Sequence, residues 1–412
     1  LASEITGKQF SSEIPVASFA DVPCEILVQA GTESATAEVK HGPGNCDRYE
    51  YTLAGVVTDE PIPNATVSVT LDGVTYTTTA DENGNYELPI ISANLKQLVK
   101  IDASAIDDET GDPIDFVNLA GSFSRVLDGN AQSNVTNVTT ASYVLAVEAN
   151  GGSEPSSPEE LQAAETAIDA TELFELAALI KLIVDDKDYS LPAGETSLVE
   201  FISDPAAVET YIETVPQQDL DDALAEILAD SDLVAGFSAG DVPERYYSIP
   251  VATPGFIARS GNAFEFDLES DRGAILGLDG GNGINQAYNW SVDTAGRLVL
   301  NYDDPVVIEN FPAVGSLENL TAEELQVLSD YGIFQIAEIQ YIYSNVFTRV
   351  VDGTLVDIAS QESQATLTYP DVPLGDGSFL TIGANSISKT LTDEVTLRSS
   401  LDIVVTDFDS SC

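Results

Sequence analysis

Short alternating runs rich in Val, Thr, Tyr and Ile, separated by Gly, Asp and Asn, are the feature that most restricts the possible folds of this chain. The runs occur in two blocks, and a stretch with a different periodicity lies between them. Apolar residues repeat at every second position in a half-buried strand and every 3.6 positions in an amphipathic helix. The pattern therefore predicts a mainly β, multi-domain protein with one small helical region.

The first block, residues 49–148, predicts a single β-sandwich. The pair Asp72-Gly73 stands between two of its runs and is a strong hairpin signal, because both central residues of a type I′ turn need positive φ. The strands that we expect in this block are Tyr49–Thr58, Ala65–Leu71, Val74–Thr79, Tyr86–Ile90, Leu98–Ala103 and Ser142–Glu148.

Part of this block resembles a known family. The residues are Gly-Val-Val-Thr-Asp at 55–59, Ile-Pro-Asn-Ala-Thr-Val at 62–67 and Thr-Ala-Asp-Glu-Asn-Gly-Asn-Tyr at 79–86. In this order they resemble the carboxypeptidase-regulatory-like domain, over about residues 50–148. The resemblance implies a transthyretin-like, Ig-like β-sandwich of a kind common in exported bacterial proteins. It also implies an accessory, adhesive or structural module without catalytic residues.

The middle of the chain predicts a linker at 149–157 and an acidic helical region at 158–244. Ser157 is a good N-cap, with proline at the first helical position and Glu160 at the third, which predicts a capping box. Between residues 151 and 245 there are 23 acids and 3 bases, so the outer helix faces must be acidic. The helices that we expect run from Ser157 to about Val184, from Asp204 to Ile212 and from Gln217 to Leu228.

The last block, residues 245–412, predicts a C-terminal antiparallel β-sandwich or barrel. One short helix is expected at about 321–331, where Thr321 and Glu324 form another capping box. The strands that we expect are Tyr246–Ile249, Ala263–Leu268, Ala274–Leu278, Ala287–Val292, Arg297–Tyr302, Phe334–Tyr343, Phe347–Val351, Ala365–Tyr369, Ser386–Thr392 and Leu401–Val405. The remaining segment, residues 1–48, is predicted to be an N-terminal arm followed by a hairpin.

The charge of the chain limits its partners. Lys and Arg total 15 and Asp and Glu total 69, which gives a formal net charge of −54. Such a surface repels nucleic-acid phosphates and anionic headgroups, and no uninterrupted apolar run is long enough to span a bilayer. We therefore expect no nucleic-acid partner and no membrane insertion. The charge itself indicates either adaptation to a saline medium or specific Ca²⁺ sites.

Two loops offer oxygen ligands for Ca²⁺. Asp81, Asn83 and Asn85 alternate in one loop, and Asp279 and Asn282 lie in another. Neither loop has the twelve-residue EF-hand spacing with its final glutamate. Asp, Asn and Gly are also ordinary turn residues, so plain turn chemistry is the alternative. No cofactor is expected, and Ca²⁺ binding remains possible.

The cysteines and the absence of methionine indicate export. A chain without Met is processed or truncated, and the simplest account is a mature secreted protein whose signal peptide has been removed. Cys24 and Cys46 flank a hairpin-like segment, and a disulfide between them would contribute about 3 kcal/mol. Cys412 is then a free thiol or an intermolecular partner. Unrelated thiols, or a pairing that includes Cys412, are the alternatives.

Nothing in the sequence has the pattern of an active site. His41, the only histidine, lies in a Gly/Pro turn, and the chain contains no Gly-x-Ser-x-Gly elbow and no P-loop or Rossmann glycine pattern. Carboxylate chemistry of the glycosidase type is the one enzymatic alternative. With 69 Asp and Glu residues, some carboxylates will be neighbours by chance. We expect that the protein is not an enzyme.

These observations predict a secreted structural protein at the cell surface, a subunit of a filament or matrix fibre of the adhesion or biofilm type. We expect it to self-associate into a homopolymer through β-strand contacts, with residues 5–19 as a strand-donor arm. Pairing of this arm within its own subunit is the alternative. A monomeric cell-envelope protein that binds carbohydrate or peptide through its C-terminal β-domain is the alternative function. The apolar anchors of the arm are Phe10, Ile14, Val16 and Phe19.

Overall fold

The fold is mainly β, as the sequence predicts, with 43% of the residues in strands and 25% in helices. The structure is a computed structural model. It describes residues 25–30, 33–38, 48–106, 113–185, 188–248, 262–277, 284–313, 320–334, 336–383 and 386–399.

The N-terminal part of the described chain is built from short strands. In chain order they are β1 (Glu25–Ala30), β2 (Glu33–Glu38), β3 (Tyr49–Thr58), β4 (Thr66–Leu71), β5 (Val74–Thr79), β6 (Asn85–Ser92), β7 (Leu98–Ile106), β8 (Pro113–Ser122) and β9 (Val135–Thr136). Strands β1 and β2 form an antiparallel hairpin and a separate two-stranded sheet. The expected hairpin in the N-terminal segment is therefore confirmed.

The other strands form two sheets that share a core. One sheet has the order β6-β3-β9 and the other has the order β5-β4-β7-β8. The turn between β4 and β5 has positive φ at Asp72 (50°) and Gly73 (75°), as the type I′ prediction requires. The shared core includes Leu53, Val69 and Ile101, each with no exposed surface. All the expected strands of this block are confirmed except the last.

The helices lie mostly in the middle of the chain. They are α1 (Phe123–Leu127), α2 (Asn137–Ala149), α3 (Pro158–Ala167), α4 (Ala170–Asp185), α5 (Leu198–Ile202), α6 (Pro205–Ile212) and α7 (Gln217–Ala229). The predicted helices near Pro205 and Gln217 are confirmed, whereas α1 and α5 were not predicted.

The strand predicted at Ser142–Glu148 is wrong, because these residues lie in α2. The Thr and Val residues of this stretch favour strands. However, Thr136 and Thr139 form a reciprocal capping box that starts a helix. Val138, Ala141 and Leu145 then follow at helical spacing and are buried. Capping and burial on one helix face therefore outweigh the local propensity.

The single helix predicted from Ser157 to Val184 is two helices. Ile168 has an extended backbone, with φ −65° and ψ 128°, so α3 ends there. The Oδ1 atom of Asp169 accepts hydrogen bonds from the N–H groups of Thr171 and Glu172, which starts α4. Ser157 does cap α3, but Glu160 accepts hydrogen bonds from Ser156 and not from Ser157.

The C-terminal part of the described chain is a closed antiparallel barrel. Its elements are β10 (Arg245–Ser248), β11 (Asn262–Asp267), β12 (Arg272–Gly277), β13 (Asn285–Val292), β14 (Leu298–Ala313), α8 (Ala322–Asp330), β15 (Ile336–Asp352), β16 (Val356–Thr368), the short pair β17 (Val372–Pro373) and β18 (Phe379–Leu380), and β19 (Ser386–Arg398). The barrel order is β10-β11-β12-β13-β14-β15-β16-β19, and β19 closes it by pairing with β10 at Tyr247↔Arg398.

The structure therefore resolves the predicted alternatives in favour of the barrel. The expected strands Phe334–Tyr343 and Phe347–Val351 are parts of one long strand, β15. The expected capping box of Thr321 and Glu324 is present at α8. The expected strand Leu401–Val405 lies outside the described residues.

Aromatic side chains fill the inside of the barrel. The Phe266 ring lies 5.8 Å from Tyr288 and 5.5 Å from Trp290, both in edge-to-face geometry. Phe264 packs in the same way on Phe347, at 5.5 Å. Gly273 is required here, because a Cβ atom at this position would lie 2.3 Å from the Tyr288 ring. The barrel interior is thus a packed core.

The barrel is joined to the N-terminal part by a continuous apolar contact. Val350 of β15 and Ile358 of β16 belong to the same buried cluster as the sheets and helices of the N-terminal part. Helix α2 contacts β15, and α4 contacts β19. This junction fixes the position of the cleft described below.

Candidate functional site

A cleft of about 730 Å³ lies where the N-terminal part meets the rim of the barrel, and we call it the junction cleft. One wall consists of α1 and the loop that follows it, residues 122–132. The other wall consists of residues 352–357, around the β15–β16 turn, together with the segment before β10. Charged residues from both walls meet at its floor.

Arg125 provides the first link across the junction. It lies in the first turn of α1, where the Ser122 hydroxyl accepts a hydrogen bond from its N–H group. Its guanidinium donates to the carbonyl oxygen of Asp352 at 2.9 Å and forms an ion pair with that residue's carboxylate at 3.0 Å. It also donates to the Thr354 hydroxyl at 3.3 Å and to the Asn130 carbonyl at 2.9 Å. One arginine therefore orders both walls.

Arg349 lies deeper, and its side chain is only 6% exposed. Its Nε atom donates to the carbonyl oxygen of Gly236. Its terminal nitrogens lie 3.3 Å from carboxylate oxygens of Asp241 and Asp352. The guanidinium also stacks over the Phe237 ring, 4.7 Å from its centroid. A buried cation with this many partners holds the segment before β10 against the barrel.

Asp357 completes this cluster of charges. The Tyr246 hydroxyl donates to its Oδ2 atom at 2.5 Å, and the nearest Arg349 nitrogen is 3.8 Å from the same atom. Burial raises the pKa of Asp357 to about 6, and the attraction of Arg349 limits the rise. Burial also raises the pKa of Tyr246. Within the described residues the other oxygen, Oδ1, accepts no hydrogen bond, and Asp357 lines the cleft.

Two further contacts join α3 to the barrel. The Glu165 carboxylate accepts a hydrogen bond from the N–H of Thr354 at 2.9 Å, and burial raises the pKa of Glu165. Arg398 at the end of β19 donates to the carbonyl oxygen of Thr166 at 3.2 Å. Thus three of the chain's 15 basic residues, Arg125, Arg349 and Arg398, lie at this junction. We call these contacts, with those of Arg125, Arg349 and Asp357, the junction network.

A second, strongly acidic cleft of about 480 Å³ surrounds Lys181 of α4. Its Nζ atom lies 2.6 Å from Asp185, 3.6 Å from Asp59 and 3.6 Å from Glu226. Asp59 is fully buried, so desolvation raises its pKa, and repulsion from Asp185 adds to the rise. Burial alone would lower the pKa of Lys181, but the surrounding carboxylates raise it overall. The ammonium group thus already serves as the cation of this cleft.

The first candidate Ca²⁺ loop is a hydrogen-bonded turn. The Asp81 Oδ1 atom accepts hydrogen bonds from the N–H groups of Asn83 (2.8 Å) and Asn85 (2.9 Å), which lowers the pKa of Asp81. The second loop, with Asp279 and Asn282, lies outside the described residues. In the part of the chain that the structure describes, no three His, Cys, Asp or Glu residues are arranged to hold a metal ion.

The other candidate residues also fall outside the described ranges. These are His41, the cysteines Cys24, Cys46 and Cys412, and the arm residues Phe10, Ile14, Val16 and Phe19. The disulfide and the strand-donor arm therefore stay predictions.

The residues of the junction network were not found from the sequence. One signal was present: Arg349 interrupts the apolar run Phe347–Val351, and an unpaired charge is rare inside a strand that faces a core. No signal connected it with Arg125, because the barrel residues that Arg125 contacts are more than 200 positions away along the chain.

Comparisons with known proteins identify no relative. A scan against protein-family models matched no family, and searches of curated proteins and of solved structures found no match. Among the described helices, none is both long and apolar enough to cross a lipid bilayer.

Proposed function

We propose that the chain is a secreted structural protein, a subunit of a cell-surface filament or matrix fibre of the adhesion or biofilm type, which self-associates through β-strand contacts. Its N-terminal sandwich is proposed to be Ig-like, of the carboxypeptidase-regulatory-like kind. The turn around Asp81 and the adjacent Tyr86, whose hydroxyl donates to the Ser133 carbonyl at 2.6 Å, supports this fold.

The observation that carries the proposal is the edge strand β5. It pairs with β4 and with no other strand in the described residues. Edge strands are usually protected from pairing by a charge, a proline or a bulge. The sequence of β5, Val-Thr-Tyr-Thr-Thr-Thr, has none of these. Its residues alternate between exposed and half-buried along most of its length. Such an edge is a template for a strand from another chain.

The opposite edge of the same sheet is protected. Helices α2 and α5 contact β8. The hydroxyl of Thr140 in α2 accepts a hydrogen bond from the N–H group of Val117 at 3.0 Å. Assembly through this sheet is therefore expected on the β5 side only.

The register of β5 shows which groups point outward. Leu71 and Val74 flank a two-residue turn and form a hydrogen-bonded pair, and such pairs alternate along the ladder. The N–H group of Ala80 donates to the Ala65 carbonyl at 2.9 Å, which agrees with this alternation. The N–H groups of Thr75, Thr77 and Thr79 therefore face the open edge.

The proposed donor is the arm at residues 5–19 of a second copy. The arm precedes the hairpin β1–β2, which in the described residues forms a two-stranded sheet, and such a hairpin is only marginally stable in water. Pairing of the arm with β5 of a neighbour would hold this hairpin next to a larger sheet. Contacts of this head-to-tail kind give filaments when the rotation between copies does not close.

A substitution at Thr77 tests the proposal. Thr77→Pro removes one outward N–H group but leaves the β4 ladder intact, and proline is tolerated at such edge positions. We expect filaments in salt from the wild-type chain and from the control Thr77→Val, but monomers from Thr77→Pro. Electron microscopy and sedimentation measure the difference. Filaments from Thr77→Pro, or a wild-type chain that stays monomeric at high concentration, would contradict the proposal.

A second candidate function is a monomeric cell-envelope protein that binds carbohydrate or peptide through the C-terminal β-domain. The junction cleft at the barrel rim favours it, since its volume is typical of ligand sites. Sedimentation separates the two functions, because this candidate predicts a monomer under all conditions.

A further inference from the structure

We propose that the junction cleft binds a neutral saccharide. The inference rests on the geometry of the cleft and holds for a filament subunit as well as for a monomer. Its volume of about 730 Å³ is within the range of sites that hold small ligands. The cleft combines side chains that the junction network already holds in place with hydroxyl groups at its walls.

The guanidinium groups of the cleft already have partners. Arg125 pairs with Asp352, and Arg349 pairs with Asp241 and Asp352. A neutral ligand that both donates and accepts hydrogen bonds can bind without breaking these ion pairs, and sugar hydroxyls do both. The charged groups are Arg125, Arg349, Asp128, Asp241, Asp352 and Asp357.

Asp357 supplies a specific anchor. It is 6% exposed and lines the cleft, and within the described residues its Oδ1 atom accepts no hydrogen bond. This oxygen is not among the fully buried unpartnered atoms, so a ligand in the cleft can reach it, and the burial of the rest of the residue strengthens a hydrogen bond made to it. Tyr246 and Arg349 fix the orientation of this carboxylate through its other oxygen. A sugar hydroxyl donating to Oδ1 satisfies this atom.

The walls provide the other contacts that a sugar needs. Hydroxyl groups of Ser122, Ser124, Thr354 and Ser399 line the cleft and can donate or accept. Pro158, Pro243 and Leu355 give apolar surface for the C–H faces of a ring. Because both walls contribute, a bound saccharide would also connect the N-terminal part to the barrel.

Binding is measured by calorimetry on the full chain, with soluble oligosaccharides of two to four glucose, galactose, mannose or N-acetylglucosamine units as probes. We expect saturable binding of at least one of them, with little dependence on NaCl. Asp357→Asn replaces the charged acceptor by a neutral one of the same shape, and we expect affinity to fall about tenfold or more. The control Asp303→Asn removes an exposed carboxylate outside the cleft and leaves affinity unchanged.

A second variant keeps the test valid if Asp357→Asn fails to fold. Ser124→Trp fills the cleft from the α1 wall and leaves the junction network in place, so it should abolish binding without lowering stability. The proposal is overturned if no oligosaccharide binds at millimolar concentration, or if both cleft variants bind like the wild type. Saturable binding of spermidine in place of every sugar would show a cation site instead, which also overturns it. The oligomeric state of each variant, measured in parallel, separates this result from the fate of the filament proposal.

Discussion

The two β regions of the molecule treat their strand edges in opposite ways. The N-terminal sheets are open, and β5 has a bare, uncharged edge. The C-terminal barrel closes on itself when β19 pairs with both β16 and β10. A closed barrel has no edge for another chain to pair with, whereas an open sheet does. In our proposal, assembly therefore uses the N-terminal part and not the barrel.

The distribution of positive charge adds to this comparison. In a chain with a net charge of −54, Arg125, Arg349 and Arg398 are placed where the two regions meet. At this junction, arginines hold aspartates that burial would otherwise destabilise. The junction therefore connects the part with the open sheets to the closed barrel through charges that water screens poorly.

The largest expected effect comes from proline in the barrel. Ala359 has no exposed surface and pairs with Arg349 on one side and Val395 on the other. Ala359→Pro should cost more than about 3 kcal/mol, since it breaks a ladder that has strands on both sides. Thr77→Pro at the open edge should cost less than about 1 kcal/mol. Urea unfolding followed by the fluorescence of Trp290, the only tryptophan, measures the cost of Ala359→Pro. Equal costs for the two proline variants would contradict the contrast between the closed barrel and the open edge.

The next effect concerns the junction. Arg349→Met removes the cation that Asp241, Asp352 and Asp357 share. We expect the free energy of unfolding to fall by about 3–5 kcal/mol. Arg272→Met is the matched control on the barrel surface, where Arg272 pairs with the exposed Asp303. It should cost no more than about 1 kcal/mol. Similar costs for both variants in urea unfolding would show that the junction network contributes no more than a surface ion pair.

A pH effect follows from Asp357. Its folded pKa of about 6 is above the usual value of 3.8, so the folded state holds a proton that the unfolded state has lost. Stability from this group is present below about pH 4 and decreases as pH rises to about 6, by up to about 3 kcal/mol. Asp357→Asn cannot titrate, so the stability of the variant relative to wild type should rise between pH 4 and pH 7. An unchanged or falling difference would refute this assignment.

The smallest effect is the response to salt. Residues 151–245 carry 23 acids and 3 bases, whereas the longer stretch 246–412 carries 24 acids and 6 bases. Screening over a Debye length of about 8 Å at physiological ionic strength should raise the melting temperature, most for the helical region. Thermal melts in a NaCl series measure this rise. Circular dichroism follows the helical region, and Trp290 fluorescence follows the barrel. A flat response would indicate local neutralisation, and a Ca²⁺ effect beyond its ionic strength would indicate specific sites.

Local rules explain which parts of the fold the sequence predicts. The Asp72-Gly73 turn, the Thr321 capping box and the alternating barrel strands depend on neighbours within a few residues, and all are present in the structure. The stretch 142–148 was mistaken for a strand because its composition favours β structure, whereas a cap six residues upstream and burial on one helix face determine the outcome. Barrel closure depends on a pairing between strands about 150 residues apart.

The candidate site was much less predictable. Arg349 and Asp352 are three residues apart in β15, but Arg125 meets Asp352 only because α1 lies against the rim of the barrel. The 227 positions between Arg125 and Asp352 give no sign of this contact in the sequence. The edge strand β5 was predicted as a strand, but only the sheet order shows that it has no outer partner among the described strands.

Hydrogen exchange at β5 tests the central claim most directly. In the monomer the outward N–H groups of Thr75, Thr77 and Thr79 are open to water, whereas barrel strands such as β12 and β16 have a partner strand on each side. We predict that in assembled material the exchange of these three amides slows strongly while that of the barrel stays unchanged. New protection that appears only in the barrel, or assembled material in which the β5 amides exchange as fast as in the monomer, would contradict it.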